Sequence, residues 1–490
     1  MVRGPLDVVD VEGIDAFRAV LLAAGQGRHS DGEAGNGLAA ENSALWPSSR
    51  TLALRCAKEG GALGTLVKLF VLGTPVDHAE ASAALAPVSI DDVKDLGLAE
   101  VRDGAVVATM RLAASGGLLL ACDQQVGLSP RPDHVMGVTL SSALLASMTV
   151  RRHVESTLDV GTGCGLHALL AARHSEQVVA TDLNPRAMNF TEFNCRLNDI
   201  DNVDCRTGSF LDPVAGETFD HIICNPPFVI SPDHEILFRD AGRPGDEVSR
   251  ELVQAIPAYL KDGGLAQVLV SWACRGGEHW SVPLRRWIRG LGCDVLLLCV
   301  RNEPAFKYAE VWNEHLEPDP EQHGVAFNRW LDYLQAEGID SVGSGAVILR
   351  RRSGANWVRA ETVLGYRAQS AGPQIARVID AQDRLEELSD DELLEQALRP
   401  GPHHLEQNLI GTSAGYARSD TKLVLDTGLP IRRRLDTAVV NVVLRLDGSR
   451  RVADAIADSG ADTGEVIGVL RDLVGLGALQ LEGSGQGAAS

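Results

Sequence analysis

Asn225, Pro226, Pro227 and Phe228 stand in a row at the end of an apolar run, residues 221–224. Two consecutive prolines end a strand and fix a rigid loop. Neither carries an N–H, so the loop presents carbonyl acceptors. The Asn225 side-chain oxygen and one of those carbonyls can accept both hydrogens of a planar –NH2 group. Held that way, the nitrogen lone pair tilts toward a methyl donor. An amide is not a base, so this chemistry is positioning and polarisation rather than general-base catalysis. Phe228 offers a ring on which a flat group can pack. The plain alternative is a strand-ending turn, which this tetrapeptide disfavours where it follows a fourth strand and a glycine-rich first turn.

A second constellation lies some sixty residues earlier. Asp159 precedes the turn Gly161-Thr162-Gly163-Cys164-Gly165, which follows an apolar strand and opens a helix. Glycines let the backbone turn sharply and pass close to a ligand, which would sit at the helix N-terminus beyond the strand ends. The spacing is not the dinucleotide fingerprint, because the sixth position is Leu166. Asp159 could hold the ammonium of an amino-acid cofactor. Asp182 ends the next apolar run, where a carboxylate bonds ribose hydroxyls. Asn184 and Pro185 follow as helix cap and first-turn proline, and Asn184 could also line the ribose site. Each signal alone also fits a tight turn with a solvated aspartate. In register they favour a nucleoside cofactor.

These residues need an open α/β sheet to position them. Strands are expected at 157–160, 178–181, 203–206, 221–224, 266–271, 295–300 and 346–350, with helices between the early ones. That makes seven strands. An insertion at 301–343 holds a helix near Phe327, Trp330, Leu331 and Leu334. Ahead of the sheet, helices are expected at 11–25, 63–72, 79–85 and 89–97. A hairpin follows over 99–112 with its turn at Asp103-Gly104, then a strand at 117–122. Thr139 caps a helix leading into the sheet. Beyond Arg352 the sheet pattern stops. Helices are expected at 373–388, 390–398, 437–446, 452–458 and 463–476, ending in residues 478–481. Both flanks read as winged-helix-like modules. That gives domains 1–123, 124–352 and 353–490.

Composition sets the outer bounds. The chain has 490 residues, 45% of them hydrophobic and 23% charged. Such a length implies more than one core. The net charge is −21, from 45 Lys and Arg against 66 Asp and Glu. That argues against broad nucleic-acid binding, though a local basic patch is compatible with it. Few Lys or Arg fall on the N-terminal helices, so a packing or substrate-lid role suits that module better than DNA binding. Nine cysteines are scattered without a Cys-x-x-Cys pair or a Cys/His cluster, so no metal is expected and the thiols read as reduced and cytoplasmic. No signal peptide or membrane span is evident.

Residues 156–230, and more loosely 130–352, resemble the class I S-adenosylmethionine-dependent methyltransferases. Within them the chain is similar to the Asn-Pro-Pro-aromatic N-methyltransferases: the release-factor and ribosomal-protein glutamine enzymes, the ribosomal RNA guanine-N2 enzymes and the adenine-N6 enzymes. The resemblance implies a Rossmann-like seven-stranded sheet and S-adenosyl-L-methionine as cofactor. It implies that Asp159, Gly161, Thr162, Gly163 and Gly165 form the methionine-side loop. Asp182 and Asn184 would meet the ribose, and Ser209 and Phe210 the adenine. Asn225, Pro226, Pro227 and Phe228 would form the target-nitrogen loop, with Asn225 also beside the cofactor. Many members carry Asp where Ser209 stands. Phe228 replaces the tyrosine of the glutamine and adenine enzymes and is frequent in the guanine-N2 group.

Other features carry less. Residues 238–246 could form a lid or a plain surface connection. Tyr308, Trp312, Trp330 and Tyr333 could build a substrate wall or simply a core. His403-His404 reads as a surface loop, and Arg432-Arg433-Arg434 as a solvated face. The expected function is methyl transfer to an amide or exocyclic amine nitrogen of an acceptor, whether protein, RNA or small molecule. The alternative from another class is a binding protein with a vestigial methyltransferase fold, against which the intact motifs weigh.

Overall fold

The computed structural model describes residues 4–26, 46, 49–124, 131–233, 243–313, 320–363, 370–413 and 415–481. Residues 27–45, most of the segment read as a lid or surface connection, and the tail from 483 lie outside the described residues. The chain divides into two compact units. One comprises Met1–Ala146, His153–Leu297 and Arg301–Arg359; the other comprises Ser147–Arg152, Leu298–Val300 and Ala360–Ser490.

The first unit opens with helices Val11–Gln26, Arg50–Glu59, Gly61–Phe70, His78–Leu85 and Ile90–Asp95. Their starts follow from capping. Ser49 accepts from the Leu52 N–H, Asp77 from those of Ala79 and Glu80, and Ser89 and Asp92 form a reciprocal capping box. Strands β1 (Val76–Asp77), β2 (Ala99–Arg102) and β3 (Ala105–Ala108) make a small sheet in the order β1-β3-β2. The run expected as one hairpin arm breaks at Thr109. Past it, β4 (Met110–Ser115) pairs instead with β5 (Leu118–Asp123).

The central sheet contains β6 (Val154–Val160), β7 (Ser175–Asp182), β8 (Val203–Thr207), β9 (Phe219–Cys224), β10 (Leu260–Cys274), β11 (Cys293–Pro304), β12 (Ser341–Arg351) and β13 (Val358–Thr362). Across the sheet the order is β8-β7-β6-β9-β10-β12-β11-β13. β8 through β10 run parallel, and β12 is antiparallel to β10. Parallel strands are covered on both faces, which is why Leu158, Val178, Ile222 and Val268 fall in unbroken apolar runs and are all fully buried. This is a Rossmann-like α/β sheet. The seven expected strands are all present, but the sheet has eight: β13, in Val358-Arg359-Ala360-Glu361-Thr362, mixes charge with short side chains and lies at the sheet edge, so it lacks an apolar run.

The helix Pro185–Leu197 ties the sheet to the N-terminal segments through asparagines. Asn194 takes the Ala121 N–H (2.7 Å) and gives its amide to the Ala121 carbonyl (2.9 Å). Asn198, at the helix C-cap, does the same with Leu119 (3.0 and 2.7 Å), and Asn189 with Leu6 (3.0 and 2.9 Å). Each carboxamide thus imitates a neighbouring strand. The geometry works because four helical residues rise about 6 Å and two strand residues about 6.6 Å, so Asn194 and Asn198 meet alternate residues of β5.

The second unit departs further from expectation. Its helices are Gly372–Glu387, Asp390–Leu394, Thr437–Val443, Val452–Ser459 and Thr463–Gly475. Strands β14 (Leu398–Pro400), β15 (His403–Thr412), β16 (Gly415–Leu425), β17 (Arg432–Leu435) and β18 (Leu479–Leu481) accompany them. The helix expected to reach 398 stops at Leu394. His403 and His404 begin β15 rather than a loop. β15, β16 and β17 form an antiparallel sheet with mixed polar sequence, which hid it from a search for apolar runs. Arg432-Arg433-Arg434 is not merely a solvated face. Arg433 reaches both oxygens of buried Glu361 at 2.6 Å and Asp472 at 2.8 Å.

Candidate active site

The site forms where β6, β7 and β9 end side by side. Val160 pairs with both Thr181 and Cys224, so the residues that follow, Gly161, Asp182 and Asn225, leave neighbouring strand ends. A β-carbon on Gly161 would come within 3.8 Å of the Asn225 carbonyl oxygen. The glycine turn and the Asn-Pro-Pro loop therefore face one another.

The turn itself requires its glycines. Gly163 sits at φ +59° and Gly165 at φ +86°. A β-carbon at Gly165 would also strike Leu169 Cδ1 at 2.8 Å. The turn hangs from the neighbouring strand: the N–H groups of Gly161 and Thr162 both donate to the Thr181 carbonyl, at 2.9 and 3.0 Å. From the helix side, Thr191 Oγ1 donates to the Gly163 carbonyl (3.1 Å) and Asn194 Nδ2 to that of Cys164 (2.8 Å). Thr181, Thr191 and Asn194 thus position the site, and sequence reasoning missed all three. Their spacing matches the helix and strand periods, but only the fold brings them to the turn.

Asp159 is fully buried. Its Oδ2 accepts from Thr162 Oγ1 (2.7 Å) and the Ala168 N–H (2.9 Å), while Oδ1 has no hydrogen-bond partner among the described residues. Burial pushes its carboxyl up to about 7, against the opposing pull of those two bonds. An orphaned carboxylate oxygen at the mouth of a glycine turn suits an ammonium group. The residues present therefore fit the amino-acid arm of S-adenosylmethionine.

Asp182 accepts from the N–H groups of Gly163 (3.0 Å) and Asn184 (2.9 Å), one on each oxygen. Burial raises its pKa, against the pull of its backbone hydrogen bonds. Asn184 caps the helix Pro185–Leu197, taking the Arg186 N–H on its oxygen and giving its amide to the Asp133 carbonyl. Both ends of that side chain are thus engaged structurally. Ser209 and Phe210 lie just past β8. Phe210 adopts φ +43°, an uncommon conformation for a bulky residue, and its carbonyl accepts from Thr181 Oγ1 at 3.0 Å.

Pro226 is buried, and Asn225, Pro227 and Phe228 are half-buried. Among the described residues, none hydrogen-bonds the Asn225 side chain. Tyr308, Trp330 and Ile230 belong to one buried cluster with Trp312 and Tyr333 packed against it, so these aromatics are core rather than an open wall. The cluster nonetheless lies directly behind the Asn-Pro-Pro loop.

The Rossmann-like sheet with its glycine turn is that of a class I methyltransferase. Residues 137–271 match the methyltransferase small domain family, and residues 39–109 match a domain of unknown function (DUF7059). The chain is 30% identical over 137 residues to a protein of Methanocaldococcus jannaschii described as a protein N5-glutamine methyltransferase, covering 26% of this chain and 68% of that protein. It is 32% identical over 151 residues to the release factor glutamine methyltransferase of Xylella fastidiosa, covering 28% and 50%. It is 29% identical over 146 residues to a tRNA1(Val) (adenine(37)-N6)-methyltransferase of Shewanella halifaxensis, covering 28% and 58%. The chain thus spans about half the length of these bacterial relatives. It belongs to the class I S-adenosylmethionine-dependent N-methyltransferases of the release-factor glutamine type. Among the described residues, no helix is long and apolar enough to cross a membrane.

Proposed function

We propose that this chain methylates the side-chain amide nitrogen of a glutamine in a protein acceptor. The observation that carries the reading is Asn225 itself, whose backbone carbonyl lies beside Gly161 of the glycine turn and whose carboxamide makes no hydrogen bond among the described residues. A glutamine amide is planar and weakly nucleophilic, and needs orientation more than deprotonation. Bound S-adenosylmethionine supplies a methyl group on a sulfonium, a strong electrophile with a neutral leaving group. The chain does the rest. Asp159 Oδ1 takes the ammonium, the Gly161–Gly165 turn admits the amino-acid arm, and Asp182 with Asn184 stands at the ribose side. Ser209 and Phe210 stand at the adenine side. Asn225 Oδ1 and a carbonyl of the Pro226-Pro227 segment accept the two amide hydrogens, and one of these leaves to solvent as a proton once the nitrogen carries the methyl group. Phe228 packs on the flat group. A net charge of −21 favours a protein over a polyanionic RNA.

We further read the flanks as winged-helix-like modules that select the acceptor, within domains 1–123, 124–352 and 353–490. The strand triplet β1-β3-β2 with its helices, and the three helices before β18, support that reading.

The test is methyl transfer from labelled S-adenosylmethionine into lysate, followed by protease or ribonuclease digestion. Label released by protease and recovered as N5-methylglutamine supports the assignment; label released by ribonuclease alone refutes it. Asn225→Ala should lower transfer about 10²–10³-fold with cofactor affinity nearly intact. Asn225→Asp, which keeps an acceptor and size, should retain partial activity.

A further inference from the structure

The Asn225 loop is held at two ends. At one end β9 anchors it in the sheet through Cys224. At the other, Val229 and Ile230 sink into a cluster built largely by two helices, Ala305–Asn313 and Pro320–Ala336, inserted between β11 and β12. Ile230 is fully buried, and its N–H donates to the Tyr308 hydroxyl at 3.0 Å. Tyr308 lies 6.2 Å from the fully buried Trp330, ring centre to ring centre. Trp330 Nε1 in turn donates to Asp233 Oδ2 at 3.2 Å, and Arg329 makes an ion pair with the same carboxylate. The Asp233 N–H donates to Ser231 Oγ at 2.8 Å, which closes the exit of the loop into a tight turn. Only four residues, Asn225 to Phe228, separate the two anchors, and two of them are prolines with fixed φ. A loop so short and stiff takes its shape from where its ends are pinned.

We propose that Tyr308, Trp330 and Asp233 are positioning residues that set the placement of Asn225 through residues 229–233. The helical insert therefore serves the reaction without touching the reacting atoms. The proposal rests on the reading of Asn225 as the group that orients the acceptor nitrogen.

Sinefungin tests it without an acceptor, because a carbon replaces the cofactor's sulfur and carries an amine in the place of the transferable methyl group. On that reading the amine donates to Asn225 Oδ1. S-adenosylhomocysteine lacks it. The quantity to read by calorimetry is the ratio of the two dissociation constants on the full chain. Wild type should prefer sinefungin, and Asn225→Ala should abolish the preference. Tyr308→Phe keeps the ring and removes the hydroxyl. It should lower the preference about 3- to 10-fold while leaving S-adenosylhomocysteine affinity within about twofold. Asp233→Asn, which keeps the shape but loses the charge that holds Arg329, should move the ratio the same way. Thermal melts confirm that each variant is folded. If Asn225→Ala changes the ratio and both insert variants leave it alone, the proposal is wrong and the Asn225 reading stands. If Tyr308→Phe weakens both ligands equally, its role is only structural and the proposal is again wrong. A ratio that Asn225→Ala does not change overturns the Asn225 reading, and the proposal with it.

Discussion

Protons should compete with the cofactor at Asp159. Burial raises this carboxyl to about 7, so near neutrality it is protonated in a large fraction of molecules. An ammonium placed at the unpartnered Oδ1 requires the ionised form, and its presence pulls the pKa back down. Binding therefore expels a proton whenever the pH lies below about 7. By linkage the apparent dissociation constant of S-adenosylhomocysteine should rise about tenfold for each pH unit well below 7, equivalent to about 1.4 kcal/mol per unit. The sign matters, because an exposed carboxylate with an ordinary pKa would give no change until far more acid conditions. The assay is calorimetry across pH 5.5 to 7.5, repeated in buffers of different ionisation enthalpy to count protons released. 5′-Methylthioadenosine, which lacks the amino-acid arm, is the control. Its affinity shares any contribution from Asp182 but none from the ammonium, so the difference between the two ligands isolates Asp159.

The variant that completes the test is Asp159→Asn. It keeps the volume and can still accept from Thr162 and Ala168, but cannot ionise. Affinity near neutral pH should fall by about 1.5–3 kcal/mol, the scale of a hydrogen bond to a charged group, and the excess pH slope should vanish. Wild-type affinities with the same pH slope for both ligands would refute the assignment. So would an Asp159→Asn protein that binds S-adenosylhomocysteine as tightly as wild type.

Other perturbations read out the scaffold. His221 is fully buried on β9 beside Gln267, and burial lowers its pKa from 6.5 to about 4. The unfolded chain then binds a proton that the folded one excludes, so its contribution is complete above about 6.5 and is lost as pH falls toward about 4. Urea melts should show a loss on the order of 1 kcal/mol per pH unit in that window, reduced in His221→Gln. Arg433→Met should destabilise the second unit by about 3–5 kcal/mol, because buried Glu361 loses the guanidinium that meets both its oxygens; a melt within 1 kcal/mol of wild type would contradict this. Asn194→Ala strands the Ala121 and Cys164 backbone groups and should cost about 1–3 kcal/mol for each buried group left unpaired. It should also weaken S-adenosylhomocysteine binding, measured beside the melt.

The parts of this molecule legible in its sequence share one physical property: the signal is local. Apolar runs of four to eight residues announced seven strands of the central sheet, because buried strands such as the parallel β6, β7 and β9 are covered on both faces and must be apolar throughout. Ser89 with Asp92, and Asn184 with Pro185, announced helix starts because caps act within one turn. Failures occurred where the partner is distant. Nothing near Arg433 reveals that Glu361 and Asp472 will meet it. Nothing in Val358–Thr362 marks an edge strand, since only its neighbour makes it one. β15 carries polar residues on a long exposed stretch, so cross-strand pairing with β16 holds it without an apolar run of its own.

The same contrast runs through the active site. Asp159, the glycines, Asp182 and Asn225 are visible because their residue types stand beside strand ends, where the proposed roles fall. The residues that fix their geometry are ordinary in type and remote in sequence. Thr181 takes two N–H groups of the turn on its carbonyl and steadies Phe210 with its hydroxyl. Asn194 bridges the turn to β5, so the N-terminal segments help hold the cofactor side. Tyr308 comes from an insert almost eighty residues beyond the loop it pins. Anchors of both kinds converge on strand ends only a few ångströms apart. Alignment to within fractions of an ångström is what a reaction without an acid or base demands of a protein. A chain that supplies orientation rather than proton transfer must therefore spend its buried polar groups on the backbone around the site, and Thr181, Thr191, Asn194 and Tyr308 are all spent that way.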